Sequence, residues 1–165
     1  NYEGYGPGGV ALLVQAATDN RNRTVAEMRK IFERAGGHLS ELNSVAWMFK
    51  QTGLFLINAG TIDEDDLLLV ALDAGAADVG ADDGMYEVTT TTAKFVGVRE
   101  AFDNNGIKCE QAELAMLPAS YIKLQGSEAK KCLKLMESLE DHDDVQGVYT
   151  NADINSTEFK EAAAG

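Results

Sequence analysis

The feature that most constrains the fold is the order in which two apolar patterns alternate along the chain. Short continuous or alternating apolar runs indicate strands, whereas apolar residues repeating every three to four positions indicate helices. Along the 165 residues these patterns follow one another as βαβ, then βαββαβ, then βαβ. Since two amphipathic helices can cover one face of a four-stranded sheet, this order predicts an α+β fold.

The order also predicts how the chain divides into domains. Residues 52–117 have the complete βαββαβ order of a ferredoxin-like sandwich. The flanking segments, 1–51 and 118–154, together supply a second set of the same kind. We therefore expect two ferredoxin-like domains, one inserted into the central connection of the other, and a C-terminal tail, 155–165, that frays.

Capping signals and apolar periodicity place the individual elements. Capping-box patterns begin at Thr24 and Thr61, each with Glu three residues later, and predict the first two helices there. The third helix is predicted from Lys94 to Asn105, and the fourth after Ser127. Asp82-Asp83-Gly84 predicts a hairpin. The predicted strands are Val10–Thr18, Ser44–Phe49, Leu54–Ala59, 77–79, Met85–Thr91, Lys108–Leu117, Tyr121–Leu124 and Val145–Thr150.

The first residues contain a glycine spacing that also occurs in dinucleotide-binding folds. Gly4, Gly6 and Gly9 fit Gly-x-Gly-x-x-Gly, but they precede an apolar run instead of following a strand and opening a helix. No Gly-Lys-Ser/Thr follows them. We therefore interpret them as a tight turn that leads into the first strand, and expect no cofactor.

Composition argues against several classes of function. The formal charge is −13 and the isoelectric point about 4.4, whereas a domain that binds nucleic acid unaided usually has a basic surface. No apolar run approaches the about 20 residues of a membrane helix. The two cysteines, Cys109 and Cys132, have no zinc-site spacing and are interpreted as buried thiols of an intracellular protein.

No set of residues has the pattern of a catalytic or metal site. His38 and His142 lie far apart beside polar residues and are predicted to be surface histidines without a site role. The acidic run 63–66 suits the first turn of a helix, because the helix dipole favours negative charge there. The acidic run 140–144 is unfavourable at a helix end, so a partner or metal contact stays an alternative to a solvated loop. We expect no enzyme.

One stretch is distinctly basic. Five of the chain's fourteen basic residues fall within positions 21–34. Arg21 and Arg23 are predicted on the turn before the first helix, where backbone amides would favour an anion. Alternatively, Asp19 and Glu27 pair with these arginines and fix the turn. The candidate contacts for nucleic acid or a partner are Asn20, Arg21, Asn22, Arg23, Lys30 and Arg34.

The single tryptophan could in principle serve as a surface on which bases stack. It lies in the run Ser44-Val-Ala-Trp-Met-Phe49, which is almost continuously apolar. We therefore predict that Trp47 and Met48 belong to the core.

Several of these stretches also carry a resemblance to a known family. The segment YEGYGPGGVALLVQAATDNRNRTVAEMRKIFERAGGHLSELNSVAWMF resembles the signature of the YebC family, which includes PmpR-type regulators and the mitochondrial translational activator of cytochrome c oxidase subunit I. DDG at 82–84, MLP at 116–118 and DDVQGVYTNAD at 143–153 are similar to its later motifs. Gln15 departs from the family, which often has an acidic residue there.

The resemblance implies an architecture and a function. Family members have an N-terminal helical domain rich in Lys and Arg, followed by two α+β domains, and this chain is expected to lack the first. It implies a cytoplasmic, non-enzymatic, DNA-binding transcriptional regulator. Most nucleic-acid affinity would then come from the absent domain, with weak or no binding by this chain alone. The interdomain turn or hinge would be Tyr5, Gly6, Pro7, Gly8 and Gly9.

Two alternatives stay open at this point. Other family members resemble translation factors, so the target could be ribosomal RNA or the ribosome. A ferredoxin-like pair could also be a module that binds a small ligand or another protein, because a fold alone does not choose a function.

Overall fold

The computed structural model describes residues 1–154, so the predicted fraying of 155–165 lies outside the described residues. Ten strands and four α-helices are formed in this part of the chain. In chain order they are β1 Tyr2–Tyr5, β2 Ala11–Ala16, α1 Arg21–Arg34, β3 His38–Ser40, β4 Phe49–Asn58, α2 Glu64–Asp73, β5 Asp78–Asp82, β6 Met85–Thr90, α3 Phe95–Asn104, β7 Gln111–Pro118, β8 Ile122–Leu124, α4 Gly126–Glu140, β9 Val145–Thr150 and β10 Ala152–Ile154. The predicted α+β class is confirmed.

The chain divides into two compact units. Unit 1 contains Asn1–Phe49 and Leu117–Gly165, and unit 2 contains Lys50–Met116. Unit 2 is therefore an insertion into unit 1, and its boundaries differ by one or two residues from the limits 52 and 117 expected from the sequence.

Unit 2 has the ferredoxin-like strand order. Its sheet runs β5-β6-β4-β7, and Phe55 pairs with Val88 where β4 and β6 lie antiparallel. The hairpin between β5 and β6 turns at Asp83 and Gly84, both with positive φ, as the DDG pattern predicts. The ring of Phe55 packs against those of Phe95 and Phe102 from α3, at centroid distances of 4.9 and 5.1 Å.

Unit 1 reaches a related arrangement with an unexpected strand. Its four-stranded sheet runs β3-β1-β2-β9, so β1 lies between β2 and β3. A ferredoxin-like order assigns that place to the third strand, which here would be β8. Instead β8 pairs in parallel with β10. The sequence analysis missed the short strands β1, β3 and β10. Strand β1, Tyr2-Glu-Gly-Tyr5, has a central glycine and no apolar alternation.

The core of unit 1 lies between the sheet and the helices α1 and α4. Leu12 and Val14 of β2 point toward these helices, since alternate residues of a strand share a face. They meet fully buried residues of both helices, which are Met28, Phe32, Cys132, Leu135 and Leu139. Gly4 permits the close approach of α1, because a Cβ there would lie 2.7 Å from the ring of Phe32.

Several predicted element boundaries are wrong; in unit 2, for example, α2 begins at Glu64 with Asp63 as its N-cap, and not with Thr61. Helix α1 begins four residues earlier than predicted, because the side chain of Asn20, and not that of Thr24, accepts a hydrogen bond from the Arg23 amide and acts as the N-cap. Thr24 is instead a buried residue inside the helix. The predicted strand Ser44–Phe49 is a loop with one 3-10 turn, Ala46–Met48. Strand β4 begins at Phe49, five residues before its predicted start at Leu54.

Candidate nucleic-acid interface

The basic residues of unit 1 are concentrated on its two helices. Eight of the nine basic residues within 1–49 and 117–154 lie there, namely Arg21, Arg23, Arg29, Lys30, Arg34, Lys130, Lys131 and Lys134. The sequence analysis identified only the α1 members. The α4 members carry a readable signal, since Lys134 lies four residues after Lys130 and three after Lys131, a spacing that places it beside both on the helix surface.

The acidity of the chain belongs mainly to unit 2. Residues 50–116 contain 13 acidic and 4 basic side chains, which gives a formal charge of −9. Residues 1–49 and 117–154 contain 12 acidic and 9 basic side chains, which gives −3. A basic helical face in unit 1 is therefore compatible with the strongly negative charge of the whole chain.

A groove between α1 and α4 brings three of these cations together. Arg34 of α1 lines it with Lys131 and Lys134 of α4, and its volume is about 240 Å³. The other lining residues are Ile31, Ala35, Leu135 and Ser138. Within residues 1–154, none of the three cations forms an ion pair, so their charge is available to an anion.

The predicted contact residues at the start of α1 do not form one site. Arg23 is bound to three carboxylates, at 3.5 Å from Asp144, 3.8 Å from Asp19 and 4.0 Å from Glu27. This supports the alternative in which acidic neighbours fix the turn. Asn20 is the helix cap, whereas Arg21 and Asn22 are exposed in the first turn. Of the six predicted contacts, only Arg34 lines the groove, with Lys30 one helical turn before it.

The acidic segment 140–144 is bound into unit 1 at this same end of α1. Asp144 Oδ2 accepts a hydrogen bond of 2.9 Å from the Thr24 hydroxyl, and His142 pairs with Glu27. The hydrogen bond from Thr24, followed by the charge of Arg23, lowers the pKa of Asp144 below its ordinary value. The prediction of a surface role is therefore wrong for His142, whose side chain is only 12% exposed. His38 is exposed as predicted.

The glycine-rich turn connects two neighbouring strands of unit 1. Tyr5 ends β1, and Gly6 to Gly9 lead into β2 through one 3-10 turn. Gly8 and Gly9 have φ values of 75° and 80°, and Pro7 is buried. This tight turn has the geometry that the sequence predicts. Its role as an interdomain hinge stays a prediction.

The prediction that Trp47 belongs to the core is wrong. Its side chain is 74% exposed, and that of Leu42 in the same loop is 72% exposed, while Val45 and Phe49, the first residue of β4, are buried. The indole nitrogen donates a hydrogen bond of 3.0 Å to the carbonyl of Ser44. The buried carboxylate of Glu3 accepts hydrogen bonds from the amides of Asn43, Val45 and Ala46 at 2.7, 3.0 and 2.6 Å. The loop is thus held so that the indole faces solvent.

The remaining reactive groups do not assemble into a site in residues 1–154. No group of three or more His, Cys, Asp or Glu side chains there is placed to hold a metal ion. Burial raises the pKa of Cys132 to about 11, and burial together with Asp103 raises that of Cys109. Within the described part, no helix has the length and apolar character needed to cross a bilayer.

Comparison with known proteins assigns the family. Residues 1–152 match the family described as the second and third domain of TACO1/YebC. The chain belongs to this family. It is 49% identical over 160 residues to a probable transcriptional regulatory protein of Natranaerobius thermophilus, and 48% identical over 159 residues to one of Geobacter sulfurreducens. These matches cover 95% and 96% of the chain.

A solved structure shows the same fold. It is the crystal structure of a conserved hypothetical protein of Aquifex aeolicus, 37% identical, with a TM-score of 0.83 over 94% of this chain. The chain spans 64% of the length of that protein and of both relatives named above. The family and the fold therefore follow from two independent likenesses.

Proposed function

We propose that this chain is the two-unit body of a non-enzymatic regulator of gene expression, and that unit 1 contacts nucleic acid through the groove between α1 and α4. The observation that carries the proposal is the convergence of Arg34, Lys131 and Lys134 without carboxylate partners within residues 1–154. The regulatory names of the relatives support it. A transcriptional regulator of this kind acts on DNA in the cytoplasm.

The charge distribution favours a groove that adds to nucleic-acid affinity over one that supplies most of it. Three cations neutralise few phosphates, and the formal charge of −9 on unit 2 opposes the approach of a polyanion. The lining residues Ile31 and Leu135 are apolar, and an ionic contact beside apolar surface is screened less by water than one surrounded by water. The main affinity would then come from a basic domain such as the N-terminal domain of the family, with the groove adding to it.

A salt titration tests this division. Duplex DNA and RNA of equal length are titrated with this chain and with a protein that carries the family's N-terminal domain as well. Replacing Arg34, Lys131 and Lys134 by Gln in the longer protein should reduce the slope of log K against log salt by about 0.9 per lost contact on duplex DNA. The matched control replaces Lys50, Lys94 and Lys108 of unit 2, which are also exposed.

The outcome separates the possibilities clearly. Equal slopes for the groove variant and the unchanged protein would contradict the proposed contact. Equal affinities for the two chain lengths would contradict the secondary role of unit 1.

One observation favours ribosomal RNA as a second candidate target. The exposed indole of Trp47, held by its bond to Ser44, offers a flat surface on which an unpaired base can stack. Unpaired bases are common in structured RNA and rare in duplex DNA. If the protein is a translation factor, it should sediment with ribosomes at low salt, and Trp47→Ala should release it. A full-length protein that stays out of the ribosomal fractions would exclude this target.

A further inference from the structure

The helical face of unit 2 carries an apolar groove that the nucleic-acid proposal does not use. It lies between α2 and α3, has a volume of about 510 Å³, and is lined by Leu69, Val70, Asp73, Ala74, Gly97, Ala101 and Asn105. Leu69 is 72% exposed, and Leu72, three residues later on the same helix, is 54% exposed. Single exposed apolar residues are common, but two exposed leucines on one side of a helix beside an apolar groove form a surface that fits a partner.

The exposure follows from the way α2 is built. Leu67 and Ala71 point into the core of unit 2, where both are fully buried. Leu69 and Leu72 lie on other sides of the helix, because successive residues are about 100° apart. Polar residues normally occupy such positions. The sequence of α2 therefore supplies more apolar surface than the core of unit 2 covers.

The charges around this groove are predominantly negative. Asp73 lines the groove, Asp65 lies one turn before Leu69, and unit 2 as a whole has a formal charge of −9. None of the seven residues that line the groove is Lys or Arg. The guanidinium of Arg99 of α3 lies 5.5 Å from the centre of the Phe95 ring.

We propose that the α2–α3 groove binds an amphipathic helix of a partner protein, whose apolar anchors are flanked by Lys and Arg. The apolar lining selects Leu-, Ile- or Phe-type anchors, and the acidic rim selects a basic segment by charge complementarity. Gly97 and Ala101 lack long side chains, and a Cβ built on Gly97 meets no atom within 4 Å. A helix can therefore approach α3 closely there. The inference does not depend on the nucleic-acid proposal, since it uses the opposite charge and the other unit.

The test uses the whole chain and two synthetic probes. Both are helical peptides of about 18 residues with leucines on one face. One has Lys and Arg on its polar face, and the other has Glu and Asp. Binding is followed by fluorescence anisotropy of the labelled peptide and by amide chemical shifts of the protein. We expect saturable binding of the basic peptide only, with the largest shifts at Leu69, Leu72, Gly97 and Ala101.

Variants distinguish specific binding in the groove from nonspecific hydrophobic binding. Leu69→Ser with Leu72→Ser should weaken the basic peptide by about tenfold or more, because the burial of two leucines is lost. Leu114→Ser removes a leucine of β7 that is 42% exposed and should leave binding unchanged. Asp73→Lys with Asp65→Lys should abolish binding without altering the amide spectrum elsewhere, which shows that the unit is folded.

Three results would overturn the proposal. The first is no saturable binding of the basic peptide, and the second is equal binding of the acidic peptide. The third is self-association of the chain in sedimentation that Leu69→Ser removes, because the occupant would then be a second copy of the chain.

Discussion

The hydroxyl of Thr24 donates a hydrogen bond of 2.9 Å to Oδ2 of Asp144, across 120 residues of sequence. Thr24 is fully buried in α1, and Asp144 directly precedes β9. The amide of Ala17 also donates to the carbonyl oxygen of Asp144, at 2.9 Å. The start of α1, which leads to the cationic groove, is thus fixed by a residue contributed from the far end of unit 1.

The Asp144 contact predicts a dependence of stability on pH. Its pKa is lowered in the folded state relative to the usual value of about 3.9, so the contact stabilises the fold above that value and is lost as the pH falls through the folded-state pKa. Urea unfolding of Asp144→Asn should show a deficit at pH 7 that shrinks below pH about 4. Asp143→Asn, at the exposed neighbour, is the control. A deficit that is constant with pH would contradict this.

Because the carboxylate of Glu3 is buried and hydrogen-bonded, the nearly isosteric substitution Glu3→Gln should lower the stability of the fold strongly. Glu3→Gln keeps the shape but replaces one accepting oxygen by an amide group and removes the charge from three hydrogen bonds. We expect the free energy of unfolding to fall by about 2–4 kcal/mol.

The chain's single tryptophan reports on the same change. Trp47 follows Ala46, so its fluorescence spectrum should shift in folded Glu3→Gln because the loop loses its anchor. Glu41→Gln is an exposed substitution on the same loop and should change neither property. Wild-type stability and spectrum in Glu3→Gln would show that the carboxylate does not hold the loop.

Substitution by alanine should change the stability in opposite directions at two glycines, Gly37 and Gly97. A Cβ on Gly37 would lie 2.1 Å from the backbone oxygen of Tyr5, so Gly37→Ala must push β1 from β3 and should destabilise by about 1–3 kcal/mol. Gly97 lies inside α3 with open space beside it, so Gly97→Ala should stabilise by about 0.5–1 kcal/mol through helix propensity. Thermal unfolding of both variants checks the sign, and equal signs would contradict the crowding at Gly37.

The thiols should differ in reactivity. Cys132 is fully buried with a pKa of about 11, so at pH 8 only about one molecule in a thousand holds the thiolate. Cys109 is half-buried, and its pKa is raised as well. In native protein a disulfide reagent should label Cys109 first, and Cys132 only at the rate of unfolding. In the variant Cys109→Ser only Cys132 can be labelled. Rapid labelling of that variant at pH 8 would contradict the burial of Cys132.

Local patterns in the sequence were sufficient for most elements but not for those set by distant contacts. The stripes of α1 and α4 and the hairpin at Asp83 were readable, because a repeat within one segment determines them. The start of α1 could not be predicted in this way. Thr24 has a good capping pattern, but its hydroxyl is buried inside the helix, where it donates to Asp144. β1 was missed because its place is decided by pairing with β2 and β3 on either side.

Of the candidate site, only the part contributed by α1 could be predicted, because the part from α4 depends on a distant contact. Arg34 belongs to a basic run that any reading of the sequence detects. Its partners Lys131 and Lys134 lie about 100 residues later, and only the packing of α4 beside α1 brings them to one groove. Trp47 was misjudged because the apolar run around it is divided between the core and the surface by the bonds of Glu3 to the loop.

The pairing of β2 with β9 has a consequence for biosynthesis. Leu12 and Val148 belong to neighbouring strands, so the sheet of unit 1 cannot close until a ribosome has released residue 150. All strands of unit 2 lie within one continuous segment that emerges earlier. The inserted unit can therefore complete its fold first. Until β9 is available, β2 has an unpaired edge, and its apolar residues are exposed to aggregation unless another molecule covers them.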